Sequence, residues 1–71
     1  MAQQLYLKDD MIRLGQALKL ANVVYDGAEA REVIAEGLVT VNGKVVTQRG
    51  KQLHPGDKVS FSDETFTLVK Q

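Results

Sequence analysis

Three cations in the second half of the chain have a spacing suited to a phosphate backbone. Lys44 is followed by Arg49 and Lys51, and Gly50 between the last two gives the segment conformational freedom. Lys and Arg side chains neutralise phosphates, and a flexible glycine lets a loop follow a nucleic-acid strand. A solvated surface loop has the same composition, so these residues alone leave both interpretations open.

A second candidate phosphate site is the segment Asp26-Gly27-Ala28, which the capping pattern assigns to the start of a helix. Small residues there leave backbone N–H groups accessible to a phosphate. Asp26 competes for the same donors, and with Glu29 it forms a pair resembling a capping box. Tyr25 precedes the segment. We consider its ring for a stacking contact with a base, with packing against the protein as the stronger alternative.

Residues suited to catalysis or metal binding are few and lie where turns and caps are expected. His54, the single histidine, belongs to the predicted turn His54-Pro55-Gly56-Asp57, and the chain has no cysteine to share a metal ion. The adjacent carboxylates Asp9-Asp10 and Asp63-Glu64 lie at predicted element boundaries. The sequence contains no Gly-rich nucleotide-binding loop. We therefore expect no enzymatic activity, no metal, no cofactor and no small-molecule substrate.

The composition is typical of one small domain, residues 1–71. A hydrophobic content of 44% is sufficient for a compact core, and without cysteine no disulfide contributes to its stability. No secretion signal and no apolar run of membrane-spanning length is present, so we expect a cytoplasmic protein without membrane association.

The charges balance in total but are unevenly distributed. Nine basic and nine acidic residues give zero net charge, which argues against a strong non-specific polyanion binder. Residues 26–37 contain four acidic residues and one basic residue, whereas residues 38–60 contain four basic residues and one acidic residue. Such a dipolar surface can orient a charged partner even at zero net charge.

Two helices are predicted from apolar spacing and capping residues. The first covers residues 10–22, with Asp9-Asp10 as capping carboxylates. Gly15 interrupts this helix, and an internal glycine often marks a close approach of another element or a ligand. The second helix covers residues 27–36 and ends at Gly37, which can adopt the left-handed conformation of a helix C-terminus.

The remaining segments favour strands. Asn42-Gly43 is the preferred pair for a two-residue type I′ turn and predicts a tight hairpin. Residues 47–52 are polar and basic without periodicity, which predicts a loop. The fold class is therefore α+β, with two short helices packed on a small, mainly antiparallel sheet. The predicted strands are residues 4–8, at a sheet edge, 38–41, 44–47, 58–62 and 65–69.

Taken in this order, the residues resemble the RNA-binding domain of the ribosomal-protein-S-four type. The resemblance spans about residues 12–61 and depends most on a Gly-x-Val-x-Val-Asn-Gly pattern, residues 37–43, followed by Pro55-Gly56-Asp57. Arg13-Leu14, Leu18 and Ala30-Arg31 add to it. The chain is most similar to small stand-alone bacterial members, which carry a Gly-x-Glu-Ala-basic element and an Arg-Gly-Lys loop. Here these are Gly27 to Arg31 and Arg49-Gly50-Lys51.

The resemblance implies an alpha-L RNA-binding motif that contacts RNA through its two helices and the adjoining hairpin loops. It implies structured RNA as the partner, such as ribosomal RNA or an RNA–protein assembly, with a ribosomal or other protein as a further partner. Many members have Ser-Arg or Thr-Arg at the start of the second helix, where this chain has Asp26-Gly27 and lacks that cation. Carried over by position, the implied RNA contacts are Arg13, Lys19, Arg31, Lys44, Arg49 and Lys51.

Two other functions fit parts of the sequence. A protein-interaction module that keeps the fold without strong RNA binding fits the zero net charge and the carboxylate of Asp26. A β-grasp sulfur carrier fits the size and the Val-Asn-Gly hairpin. Such carriers need a C-terminal Gly-Gly, however, and this sequence ends Lys70-Gln71, so we do not expect one.

Overall fold

The computed structural model describes residues 2–71. Helices and strands are short, and most connections between them are tight turns. In chain order the elements are β1 (Ala2–Leu7), β2 (Ile12–Arg13), α1 (Leu14–Leu20), α2 (Gly27–Ala35), β3 (Val39–Val41), β4 (Lys44–Val45), β5 (Gln52–Leu53), β6 (Lys58–Phe61) and β7 (Glu64–Lys70).

The main sheet has the strand order β1-β7-β6-β3-β4. β1 runs parallel to β7, and the other neighbouring strands are antiparallel. β2 and β5 form a separate short antiparallel ladder. The α+β fold with a mainly antiparallel sheet is confirmed, and the predicted N-terminal edge strand is β1.

Two turns form where the sequence predicts them. Asn42 and Gly43 have φ values of 53° and 86°, as the type I′ hairpin between β3 and β4 requires. Gly37 has a φ of 76° and ends α2, and the N–H of Leu38 then donates to the carbonyl of Val33 at 3.1 Å. This is a Schellman arrangement, which satisfies a carbonyl left free at the helix end.

The predicted first helix is wrong at its start. α1 begins at Leu14 because the preceding residues, Ile12 and Arg13, form β2 and pair with β5. Asp9-Asp10 does not cap the helix. Arg13 holds the N-cap position without a side-chain cap, and Asp10 instead forms an ion pair of 2.6 Å with Lys70.

The loop predicted over residues 47–52 also ends differently. Gln52 belongs to β5, and Leu53 beside it is fully buried. The predicted strand over residues 44–47 is shorter in the structure, since β4 ends at Val45. The segment between β4 and β5 is therefore bounded by two short strands, one from each sheet.

The core lies between the helices and the main sheet. Leu14 and Leu18 of α1 pack there with Ile34 of α2 and with Val39 and Phe66 of the sheet, and all five are buried. Because both helices have one face in this core, their other faces and the loops beside them remain on the surface. Within residues 2–71 no helix has the length and apolarity to cross a membrane.

Candidate nucleic-acid interface

The basic loop folds into a tight turn. The N–H of Lys51 donates to the carbonyl of Gln48 at 3.2 Å, so these residues are the ends of a β-turn with Arg49 and Gly50 at its tip. All four residues are exposed. The two cations of the loop therefore occupy different positions in the turn, one at the tip and one at the end.

Hydrogen bonds from the start of α1 hold this turn in place. The N–H groups of Leu14 and Gly15 donate to the carbonyls of Lys51 and Arg49 at 2.9 and 3.0 Å. The guanidinium of Arg13 donates to the carbonyl of Gly50 at 2.9 Å. Three consecutive carbonyls of the turn thus accept from three consecutive residues. The amides at a helix start, which need partners outside the helix, are satisfied here by the basic turn.

One surface groove lies where α1, α2 and the turn meet. It has a volume of about 250 Å³, and among its described lining residues none is acidic. Its cations are Arg13 at the start of α1, Lys19 within α1 and Arg49 in the turn. We call this the helix groove. It is lined by Arg13, Gly15, Gln16, Lys19, Gly27, Ala30, Arg49 and Gly50.

Small residues shape the helix groove. A Cβ atom on Gly15 would lie 3.6 Å from the Cβ of Arg49, and one on Gly27 would lie 3.9 Å from the Cδ of Lys19. The internal glycine of the first helix does mark a close approach, that of the basic turn. With no side chains at these glycines, the groove is open to a ligand backbone.

A second groove lies on the other side of the turn, against the β3–β4 hairpin. It has a volume of about 510 Å³ and contains the cations Lys44 and Lys51. None of its described lining residues is acidic either. We call this the hairpin groove. It is lined by Val41, Asn42, Lys44, Val45, Val46, Thr47, Gln48 and Lys51.

Two other candidate RNA contacts lie outside both grooves. Arg31 is exposed on α2 but lines neither groove. Tyr25 is 93% exposed at the connection between the helices, so the expectation that its ring packs against the protein is wrong. Its ring is accessible for stacking. The structure therefore brings Arg13, Lys19, Gly27 and Arg49 together and leaves Arg31 and Tyr25 apart from them.

The start of α2 is capped as the sequence predicts. A carboxylate oxygen of Asp26 accepts from the N–H of Glu29 at 2.9 Å. The carboxylate of Glu29 in turn accepts from the N–H of Tyr25, one residue earlier than in a standard capping box. Asp26 therefore occupies one of the donors that a phosphate could have used.

A side-chain pair connects the two turns of the motif. The amide of Asn42 donates to the carboxylate of Asp57 at 3.0 Å, and the other carboxylate oxygen accepts from the N–H of His54 at 2.8 Å. Partial burial raises the pKa of Asp57. Those two hydrogen bonds, with the nearby charges of His54 and Lys51, outweigh this and hold the pKa below its usual value. Sequence reasoning treated Asn42 only as a turn residue.

Two other titratable residues, Asp10 and His54, lie outside both grooves. The hydrogen bond and charge of Lys70 lower the pKa of Asp10. His54 is exposed in a type II turn, in which Gly56 has a φ of 99°. Among the residues that the structure describes, no three His, Cys, Asp or Glu side chains are grouped to hold a metal ion.

Comparison with known proteins gives the family. The family model of the S4 domain matches residues 5–69. The chain belongs to the S4 domain family. This confirms the resemblance seen in residues 12–61 and extends it to the second half of β1 and most of β7, the two strands that complete the sheet.

Two relatives of this S4 domain match over most of their own length, and one solved structure matches over about a third of its chain. It is 41% identical over 61 residues to the "Probable ribosome maturation protein RlbA" of Bacillus subtilis, and the match covers 86% of each chain. It is 36% identical over 62 residues to the "Putative RNA-binding protein YbcJ" of Escherichia coli, with 87% and 89% covered. The crystal structure of 30S ribosomal protein S4e from Thermoplasma acidophilum matches with a TM-score of 0.63 at 26% identity. That match covers 84% of this chain and 32% of the S4e chain.

Proposed function

We propose that this S4 domain is a non-enzymatic, cytoplasmic module that binds structured RNA, either ribosomal RNA or the RNA of a ribosome-associated assembly. The names of the similar proteins support this, since they include a probable ribosome maturation protein and a 30S ribosomal protein. Its RNA contacts would be Arg13, Lys19, Arg31, Lys44, Arg49 and Lys51, with Tyr25 and Gly27 as further contacts.

The observation that carries the proposal is the helix groove. Its cations are Arg13 and Lys19, at the start of α1 and within it, and Arg49 in the distant turn, and all three line one concave surface. Arg offers a planar fork to phosphate oxygens, and Lys offers a point charge. Folded RNA is recognised largely through shape and backbone contacts, which suits cations fixed on a rigid surface.

The separation of charge explains how a chain of zero net charge can bind a polyanion. The acidic residues of α2 and its cap, including Asp26, Glu32 and Glu36, are exposed and lie outside both grooves. The positive charge at the grooves can therefore attract RNA, while the acidic residues outside the grooves orient it. These exposed acidic residues also support the second candidate, a protein-interaction module with a ribosomal or other protein as its partner.

A salt titration separates the two candidates. We expect a labelled RNA stem–loop to bind, with the logarithm of the affinity falling against the logarithm of the salt concentration. With about four to six phosphate contacts, and about 0.9 for each as in a duplex, the slope should be roughly −3.5 to −5.5. Fluorescence anisotropy over a KCl series measures it. A slope near zero, or no binding at low salt, would contradict RNA binding and favour the protein-interaction module.

A further inference from the structure

The two edges of the main sheet differ in their protection against pairing with another strand. β4, at one edge, has two residues and begins with Lys44. β1, at the other edge, has six residues, none of them charged and none a proline, and it pairs with β7 in unbroken register. Short length, lysines, prolines and bulges are the usual devices that stop a sheet from extending at its edge. β1 has none of them, so it can accept a further strand.

The backbone groups that β1 offers at this edge come from alternate residues. The carbonyl of Leu7 accepts from the N–H of Gln71 at 2.8 Å, so the backbone groups of Leu7 point to the β7 side. Backbone groups alternate in direction along a strand. Leu5 therefore also points to β7, whereas the N–H and C=O groups of Gln4 and Tyr6 point to the free edge. An added strand would bond to Gln4 and Tyr6.

Exposed apolar surface is concentrated beside this edge. Among the described residues six large apolar side chains are exposed, and three of them, Tyr6, Met11 and Leu20, line one pocket at the end of β1. The pocket has a volume of about 340 Å³, and its two charged lining residues, Lys8 and Asp9, have opposite signs. Clustered apolar side chains with a polar rim are typical of a protein–protein contact. The pocket has no net charge, which suits a protein partner better than a polyanion.

We propose that β1 pairs with β1 of a second copy of this chain in a two-fold symmetric dimer. The same strand pairs with itself about a two-fold axis in the antiparallel direction. Since Gln4 and Tyr6 point to the edge, Gln4 of one copy lies opposite Tyr6 of the other, and Leu5 lies on the axis opposite its own copy. This register places two half-buried leucines in contact.

Side-chain chemistry favours a second copy as the partner. Within one chain the hydroxyl of Tyr6 donates to the side-chain oxygen of Gln4 at 3.0 Å, and the dimer places the same two side chains opposite each other across the strands. The two copies of Lys8 are about 20 Å apart along the strands, at about 3.4 Å per residue. That separation exceeds the Debye length of about 8 Å at physiological ionic strength, so their repulsion is screened.

Sedimentation velocity of the protein alone, over a series of concentrations, tests the dimer. The contact is small, so we expect the wild type to change from monomer to dimer in the micromolar range. Gln4→Pro removes an N–H that points to the free edge and leaves the ladder with β7 intact. Gln4→Lys places a lysine at the edge and keeps every backbone hydrogen bond of the monomer, so it remains informative if proline disturbs folding.

Each Gln4 variant should weaken the dimer by about tenfold or more, because the change occurs in both copies. Gln52→Lys is the matched control, since Gln52 is exposed on β5 and lies outside this edge and its pocket. It should dimerise like the wild type. Circular dichroism and a thermal melt verify the fold of every variant.

Introduced thiols test the register, because the chain has no cysteine of its own. Opposite residues that do not exchange hydrogen bonds have Cα atoms about 4.5 Å apart, within the range of a disulfide. Leu5→Cys should therefore give a disulfide-linked dimer under mild oxidation, visible on a non-reducing gel. Gln3→Cys is the control on the same face of β1, since the two copies of Gln3 would be about 14 Å apart, and it should remain largely unlinked.

Three results would overturn the proposal. A wild type that stays monomeric throughout the series would show that the edge of β1 does not pair with a second copy. A dimer that neither Gln4 variant weakens would use another surface. Equal cross-linking of Leu5→Cys and Gln3→Cys would contradict the antiparallel register. The dimer uses none of the residues proposed to contact RNA, so none of these results alters the proposed RNA binding.

Discussion

Asn42 and Asp57 connect the two turns that define the motif. The Asn42 amide donates to the Asp57 carboxylate at 3.0 Å, and the side-chain oxygen of Asn42 accepts from the N–H of Lys58 at 2.9 Å. Asp57 also accepts from the N–H of His54. The Val-Asn-Gly hairpin and the Pro-Gly-Asp turn are therefore a single hydrogen-bonded unit, which explains physically why they occur together in the sequence.

Asp57→Ala should lower the free energy of unfolding by about 1 to 2 kcal/mol, because it leaves the Asn42 amide and the His54 N–H without their acceptor. Urea denaturation measures the change. Asp63→Ala is the control, since Asp63 is exposed in a turn and should alter stability by no more than about 0.5 kcal/mol. Equal effects of the two variants would show that the pair with Asn42 does not contribute to stability.

Stability should fall at acid pH in a way that depends on Asp57. The pKa of its carboxyl is lowered in the folded protein from the ordinary value of 3.8, so the folded state binds this proton more weakly than the unfolded chain. The contribution is therefore present above about pH 4 and is lost as the pH falls through the lowered pKa. Asp10, paired with Lys70, contributes with the same sign.

Urea midpoints of the wild type and Asp57→Asn, measured between neutral pH and pH 3, isolate the effect of Asp57. The stability difference between the two proteins should shrink as the pH falls, because the protonated carboxyl of the wild type and the uncharged amide of the variant then have similar hydrogen-bonding capacity. A constant difference across the range would assign the acid sensitivity to other carboxylates.

Asp26→Ser should leave stability nearly unchanged and tighten RNA binding. A serine hydroxyl can also accept from an amide in the first turn of the helix, as Asp26 does from the N–H of Glu29. The substitution also removes a negative charge at the start of α2. Urea denaturation and RNA anisotropy on the same preparation measure both quantities. Weaker binding by a stably folded variant would indicate that the carboxylate itself makes an RNA contact.

Gly15→Ala should raise stability and lower RNA affinity. The added methyl would lie 3.6 and 3.7 Å from the Cβ and carbonyl oxygen of Arg49, which are ordinary contact distances, and alanine favours a helix over glycine by up to about 1 kcal/mol. The same methyl narrows the helix groove. Unchanged RNA affinity in a stabilised variant would argue that this part of the groove is not occupied by RNA.

Local chemistry explains the parts of the fold that the sequence predicts. Asn42-Gly43 and Gly37 adopt positive φ, and Asp26 caps α2, because each effect involves residues within a few positions along the chain. The start of α1 depends instead on carbonyls of the distant turn at Arg49 and Lys51. No local pattern contains that information, so Asp9-Asp10 was assigned a capping role that it does not have.

In the candidate site, too, the sequence predicts what depends on single residues and misses what depends on contacts between distant segments. Residue type alone identified Lys44, Arg49 and Lys51 as surface cations, and the glycine at position 15 indicated a close approach. Their division between two grooves depends on where the turn lies between α1 and the β3–β4 hairpin, with Arg49 lining the helix groove and Lys44 and Lys51 the hairpin groove. Asp57 was missed as a partner of Asn42 because their contact requires β3 to lie beside β6.

Replacing Arg49 and Lys51 with Ala should separate folding from binding. Both side chains are exposed, and the bonds that hold the turn use backbone carbonyls, so stability should change by no more than about 0.5 kcal/mol. The salt slope of stem–loop binding should flatten by about 1.8, taking about 0.9 for each lost phosphate contact. A loss of stability well beyond this range would show that the side chains themselves hold the turn.

The most direct test of RNA binding through the basic turn is the anisotropy of a labelled RNA stem–loop with Arg49→Glu/Lys51→Glu. The control is Lys8→Glu/Lys58→Glu, which has the same net charge but changes lysines that line neither groove. We expect the first variant to lose binding, because repulsion replaces attraction at the grooves, while the control keeps most of its affinity. Unaltered affinity in Arg49→Glu/Lys51→Glu, with the fold intact, would contradict RNA binding by this surface.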